Sequence, residues 1–232
     1  MNLYIGTSGF GYKEWKGKFF PPDIKPAEML RFYAERFNAV EINNTFYRMP
    51  KKELLEGWLK EAPSTFTFGL KAPQKITHIR RLKDAQQELA YFLEVANVLK
   101  QQLGPLLFQL PPNFKKDADR LRSFLELLPS SQRVAFEFRH ESWFDEEIFA
   151  ALKERNAALC IAESEDPPQT PFQPTADWGY FRLRRLDYTD ADLKSWHAKI
   201  QKQKTWSDTY VFFKHEEQAF GPKFAQVFQQ FS

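Results

Sequence analysis

Short strand-like runs recur along the whole chain with helical stretches between them, and this alternation limits the available folds more than any other feature. NLYIGTS, NAVEINN, TFTFGLK, PLLFQLP, RVAFEFR, AALCIAE, WGYFRLR and TYVFFKH read as eight strands. PAEMLRFYAERF, KKELLEGWLKEA, DAQQELAYFLEVANVLKQQLG, DADRLRSFLELL, DEEIFAALKERN, DADLKSWHAKIQKQ and PKFAQVFQQF carry apolar residues at helical spacing. Only the sixth connection, SEDPPQTPFQPTAD, is Pro-rich without a helical pattern. Eight strands and about seven helices predict an α/β fold, a single TIM-type (β/α)8 barrel; an open doubly wound sheet usually has fewer strands per residue. No linker or repeat divides residues 1–232, so one domain is expected, with the Pro-rich connection on the barrel rim.

Composition agrees with this reading. A chain of 232 residues that is 43% hydrophobic can fill a large core, and most of its 24 phenylalanines are expected there. The single cysteine, Cys160, sits in an apolar run; it excludes an intrachain disulfide and points to a reducing, cytoplasmic location. No apolar run is long enough to span a membrane, and the N-terminus lacks a positively charged lead, so a soluble protein without a membrane partner is expected. The net charge of +3 and a pI near 8.8 allow a polyanionic partner but fall short of the usual nucleic-acid footprint.

Side chains alternate between the faces of a strand, and in a parallel barrel one face meets the helices while the other fills the interior. In RVAFEFR, Val134, Phe136 and Phe138 suit the helical side, leaving Ala135, Glu137 and Arg139 inside. The same division leaves Glu41 and Asn43, Lys71, Gln109, Arg182 and Arg184, Lys214, and Ser8 facing inward near the strands' C-terminal ends. The interior rim therefore holds Lys71, Arg139, Arg182, Arg184 and Lys214 against Glu41 and Glu137. Five cations to two carboxylates leave a surplus of three positive charges, to be offset by a bound anion, by water, or by Glu163, Asp166 or Glu216. Phosphate fits, because arginine offers paired donors and barrel enzymes place their sites at this face.

The strings GTSGFGYKEWKGKFFP, EINNTFYRMP, FGLKAPQKITH, GPLLFQLPPNF and FEFRHESWF together resemble the YecE-like family, domain of unknown function 72, nearly end to end. The resemblance implies a single TIM-type barrel and carries no biochemical activity. It implies that Ser8, Tyr12, Trp15, Glu41, Asn43, Phe46, Tyr47, Lys71, Gln109, Glu137, Arg139 and Trp143 occupy family motif positions. The C-terminal third departs from the commoner pattern with RLRR and FFKHEE, so part of the cationic surplus belongs to a variant subgroup.

These residues support an enzyme acting on a phosphorylated or other anionic small molecule. Arg139, Arg182 and Lys214 would hold the anion, Glu137 or Glu41 would move a proton, and Lys71 would stabilise developing negative charge. Ser8, Tyr12, Trp15, Asn43, Tyr47, Gln109, Trp143 and Arg184 complete the expected substrate-binding set, and Tyr12 and Trp15 either stack on a flat ligand or form a lid packed on the barrel. Lys71 has a second reading as a Schiff-base amine, which requires a depressed pKa. The two glutamates, on strands two and five, are expected to lie well apart, with cations beside both, which disfavours glycoside hydrolysis. No dinucleotide, phosphate-loop or nucleophile-elbow motif is present, and no cofactor is expected. No metal-spacing pattern is present; a metal would have to use His140, Glu163 and His215.

The alternative is nucleic-acid binding or phosphodiester processing in the same cleft. The basic loop KAPQKITHIRRLKD would track the backbone, and Tyr12, Trp15, Phe46 and Trp143 would meet bases. A third reading is a non-catalytic anion-binding module. The sequence does not indicate an oligomeric state.

Overall fold

The structure, a computed structural model, describes residues 1–164, 168–215 and 217–231. Asp166 and Glu216, two of the three carboxylates invoked above to offset the rim charge, lie outside the described residues. Among those described, eight parallel strands form one sheet in the order β1-β8-β7-β6-β5-β4-β3-β2. They are β1 (Asn2–Thr7), β2 (Ala39–Ile42), β3 (Thr67–Lys71), β4 (Leu103–Gln109), β5 (Val134–Glu137), β6 (Ala158–Glu163), β7 (Trp178–Leu183) and β8 (Asp208–Phe213).

Helices α1 (Met29–Ala34), α2 (Asn44–Tyr47), α3 (Lys52–Glu61), α4 (Gln86–Ala96), α5 (Ala118–Glu126), α6 (Glu146–Glu154), α7 (Asp190–Gln201) and α8 (Phe220–Gln229) lie between and after the strands. Acidic and hydroxyl caps start three of them. The side chains of Asp117, Asp145 and Thr189 accept from the backbone N–H groups of Arg120, Glu147 and Asp192. No helix of the described residues is long and apolar enough to cross a membrane.

The barrel expected from the sequence is present, with three local differences. The predicted helix over 84–104 ends at Ala96; a 3₁₀ segment, Asn97–Gln102, follows and is broken at Lys100 (φ 51°), so β4 begins at Leu103. The one-turn helix α2 starts within what reads as the end of strand two. A π-helical turn, Lys75–Ile79, follows β3 and leads to Arg81, Leu82 and Asp84, all at positive φ.

Interior and shell separate as the alternation requires. Ala39, Leu107, Ala135, Ala158, Cys160, Ala162, Trp178, Tyr180, Tyr210 and Phe212 form one buried cluster inside the barrel. Val40, Ile42, Phe68, Phe108, Phe136, Phe181 and Val211 belong to a second, larger cluster shared with the helices.

Side chains largely replace backbone pairing at the β1–β2 seam. The backbone bridge is confined to Ser8 and Glu41, with Gly9 N–H donating to Glu41 O at 2.8 Å. Below it, Asn38 accepts from Ile5 N–H (2.7 Å) and donates to Leu3 O (2.8 Å). The Tyr33 hydroxyl accepts from Thr7 N–H (2.7 Å) and donates to Ala39 O (3.2 Å). The close approach explains Gly6, since a Cβ there would lie 1.9 Å from Ala39 O.

Candidate functional site

Glu41, near the end of β2, and Glu137, the last residue of β5, are fully buried. Arg182, one residue from the end of β7, lies between them. Its Nε and Nη2 donate to Glu41 Oε1 (3.1 and 2.9 Å), and its Nη1 donates to Glu137 Oε2 (2.6 Å). Glu41 also accepts from Ser8 Oγ (2.7 Å), Tyr180 Oη (2.7 Å) and Asn43 Nδ2 (3.1 Å). Glu137 Oε1 meets Arg139 Nε and Arg184 Nη2, each at 3.2 Å.

This network settles the ionisation of both carboxyls. Burial pushes Glu41 up, but Arg182 and the bonds from Tyr180, Ser8 and Asn43 outweigh it and hold the group below its ordinary value. Burial opposes ionisation of Glu137 as well, and Arg182, Arg184 and Arg139 hold it well below that value.

Several expectations are corrected here. The two glutamates are not well apart: the interior is narrow enough for one guanidinium to bridge them, so opposite strands meet through long side chains. With an arginine between them and both carboxyls held ionised, they do not offer the raised-pKa acid that glycoside hydrolysis needs. Arg182 is not free to hold a ligand anion, because all three of its nitrogens already donate to Glu41 or Glu137. Trp143 is not at the cleft: it is fully buried, stacks on Phe138 at 4.8 Å and donates its indole N–H to Phe114 O (2.6 Å). Trp15 is likewise buried, against Phe19, Phe20 and Tyr12, which matches the lid reading and removes it as a stacking surface.

The remaining positions do not gather at one place. Tyr12, half-buried, donates to Ser8 O (2.8 Å), and Asn43 completes the shell around Glu41. Tyr47 projects into solvent between hollows of ≈ 500 and ≈ 570 Å³ lined largely by the connections after β2 and β3, with neither Glu41 nor Glu137 in their lining. The cations instead gather at a cavity of ≈ 410 Å³ above β5 to β8, lined by Glu137, Arg139, Ser164, Thr170, Arg184, Lys214 and His215, among others. Arg184 Nε is buried there without an acceptor among the described residues.

Lys71 stands at the end of β3, partly exposed, with Nζ 2.9 Å from Gln109 Oε1 and 4.0 Å from the centre of the Phe46 ring. Among the described residues it forms no ion pair, because the neighbouring carboxylates are taken by arginines. Burial and then Arg182, with Arg139 adding and Glu137 and Glu41 opposing, bring its pKa down to about 7. Gln109 pairs in register with Glu137, and its side-chain amide helps to hold that carboxylate ionised. His78 packs edge-on against Phe46 (4.8 Å); burial, then Lys71, Arg139 and Arg81, push its imidazole down to about 4. It carries no sequence signal beyond lying in a basic loop.

Among the described residues, the three ligands a metal would need do not gather into one group. His140 Nδ1 accepts from Ser142 N–H, Glu163 is held by Tyr188 Oη and Trp196 Nε1, and His215 lies against Arg184 O. No group of three or more His, Cys, Asp or Glu among the described residues is placed to hold a metal. Among the described residues Glu163 pairs with Arg185, at 3.8 Å, and not with any of the five rim cations.

The family described as "Protein of unknown function DUF72" matches residues 4–231. The chain is 33% identical over 143 residues to UPF0759 protein YecE of Escherichia coli K12, covering 61% of this chain and 50% of that protein. It is 31% identical over 150 residues to UPF0759 protein YunF of Bacillus subtilis 168, covering 61% and 52%. The matched region thus spans about half the length of these curated relatives. The crystal structure of a DUF72 family protein from Thermotoga maritima superposes with a TM-score of 0.89 at 28% identity, over 99% of this chain and 98% of that one. A DUF72 family protein from Enterococcus faecalis V583 shares the fold, with a TM-score of 0.81 at 19% identity over 99% and 96%.

Proposed function

This chain belongs to the DUF72 family, and from that premise, which supplies a fold and no reaction, we propose that it is an enzyme acting on a phosphorylated or other anionic small molecule. The site is the C-terminal mouth of the barrel. Arg139, Arg184 and Lys214 hold the anion. Glu41 and Glu137, enclosed and kept ionised, fix the guanidinium groups and do not exchange protons in this reading, which departs from the acid–base roles expected from the sequence.

One observation carries the proposal. Among the described residues, Arg139, Arg184 and Lys214 line the ≈ 410 Å³ cavity together with Glu137, whose two oxygens are shared among three arginines. The buried Arg184 Nε–H, without an acceptor among the described residues, supports it, since such a group costs roughly 1–3 kcal/mol that an oxyanion would relieve. The polynucleotide alternative loses two of its four proposed base contacts, because Trp15 and Trp143 are buried.

The test is thermal unfolding with inorganic phosphate at matched ionic strength. At about a hundredfold excess over Kd, binding adds roughly 2.7 kcal/mol, or a rise of about 5–10 °C in a domain of this size. Arg139→Ala and Lys214→Ala, at partly and well exposed positions, should fold and lose most of the rise. No shift for the unaltered protein at tens of millimolar phosphate would end this reading. A shift only with oligonucleotides, falling steeply with salt, would favour the alternative.

A further inference from the structure

We propose that Lys71 is an amine nucleophile that forms an imine with the substrate, so that the ligand is a phosphorylated or otherwise anionic aldehyde or ketone. The inference rests on the anion-pocket reading above for the charged end of the ligand, and on separate geometry for the reactive end.

That geometry lies in the Lys71, Gln109 and Phe46 cluster. The amine ends β3 at the barrel mouth and is partly exposed, held by a neutral amide oxygen at 2.9 Å and an aromatic face at 4.0 Å. An ammonium at such a depth would ordinarily recruit a carboxylate. Two are nearby, yet Arg182, Arg184 and Arg139 occupy them. Gln109 links the two ends: its Oε1 accepts from Lys71, while in register its strand neighbour is Glu137, which borders the cationic cavity. Gln109 is almost wholly buried, and the amide that positions the amine carries two N–H donors on Nε2: one helps hold Glu137 ionised and the other is available to a carbonyl oxygen under attack.

The charges facing Lys71 favour the free amine. Arg182 on β7 and Arg139 beyond β5 repel a proton; Glu41 and Glu137 attract one but are outweighed once burial is included, and the group titrates near 7. His78, pushed down to about 4, stays neutral there and adds no competing charge.

In the step itself, the Lys71 nitrogen lone pair attacks the carbonyl carbon and the C=O π pair moves to oxygen. The resulting carbinolamine loses that oxygen as water with both hydrogens that began on the amine, leaving C=N; amine plus carbonyl gives imine plus water. No oxidant or reductant is required.

The test is reductive trapping with two probes, pyridoxal 5′-phosphate and unphosphorylated pyridoxal, at pH 7.5. Borohydride adds hydride to the imine carbon, and peptide mass mapping of the unaltered protein locates the modified lysine without relying on a variant. The proposal expects Lys71 to be modified about tenfold or more faster than typical exposed lysines, whose amines are almost entirely protonated at this pH. Excess inorganic phosphate should slow trapping by the phosphorylated probe, and the modified peptide should be missing from Lys71→Met. Modification of Lys71 no faster than of other lysines by either probe overturns the imine. If Lys71 is modified rapidly and equally by both probes, with no effect of phosphate, the imine stands and the anion pocket falls. If phosphate raises the melting temperature while Lys71 stays unmodified, the pocket stands and the imine falls.

Discussion

Arg182 Nη1 lies 2.6 Å from Glu137 Oε2 while its Nη2 lies 2.9 Å from Glu41 Oε1, so one buried guanidinium joins β7 to both β5 and β2 across the barrel interior. Each carboxylate keeps its charge because of this group, and the arginine in turn is held well above its ordinary pKa once attraction overcomes burial. Arg139 and Arg184 are left to share Glu137 with it.

Removing that link should be costly. Arg182→Met leaves two buried carboxylates without their shared counter-charge, and breaking such a pair costs about 3–5 kcal/mol. Urea unfolding should show the midpoint falling accordingly, with Arg182→Lys recovering only part because one ammonium cannot match the forked contacts. A loss under about 1 kcal/mol would mean that water replaces the arginine.

Lys71→Met should stabilise the fold, and the gain should depend on pH. The folded pKa, about 7, lies below the ordinary 10.5, so between these values the unfolded chain binds the extra proton. Stability contributed at this site therefore rises with pH over that window. The penalty is full below pH 7 and absent above 10.5. The variant's advantage, roughly 1–3 kcal/mol after allowing for partial exposure, should be largest near pH 6 and close towards pH 10. Equal advantage at both pH values would show an ordinary lysine.

Tyr33→Phe tests the β1–β2 seam. It removes the acceptor of Thr7 N–H and the donor to Ala39 O, both buried, and should cost about 1–3 kcal/mol. Amide hydrogen exchange should speed up at Thr7 more than at the ladder positions of β7 and β8. Uniform acceleration would instead indicate global loss without a local seam.

Trp143→Phe separates core from ligand contact. It deletes the indole bond to Phe114 O while keeping a ring on Phe138, so melting should fall modestly, by about 1 kcal/mol in stability. The phosphate-dependent rise should be unchanged. Loss of that rise in a folded variant would return Trp143 to the site.

The sequence by itself determined the strand count, the single barrel, the family and the inward face of most strands, because periods of two and 3.6 residues are properties of neighbouring residues. Thus Glu41, Lys71, Gln109, Glu137, Arg182 and Arg184 were legible as interior groups before any coordinates. Which of them meet was decided only by tertiary structure. Glu41 and Arg182 are 141 positions apart, and alternation assigns a face without assigning a partner. The sequence also leaves open how loops pack, so Trp143, expected at the site, and Trp15, readable as either a stacking surface or a packed lid, turn out to be core. Closure of a narrow cylinder spent Arg182 on two carboxylates, left Arg139 and Arg184 to share one of them, and denied Lys71 an acidic partner. Partnership in a buried charge network depends on side-chain reach across the barrel, and that distance exists only once all eight strands are in place.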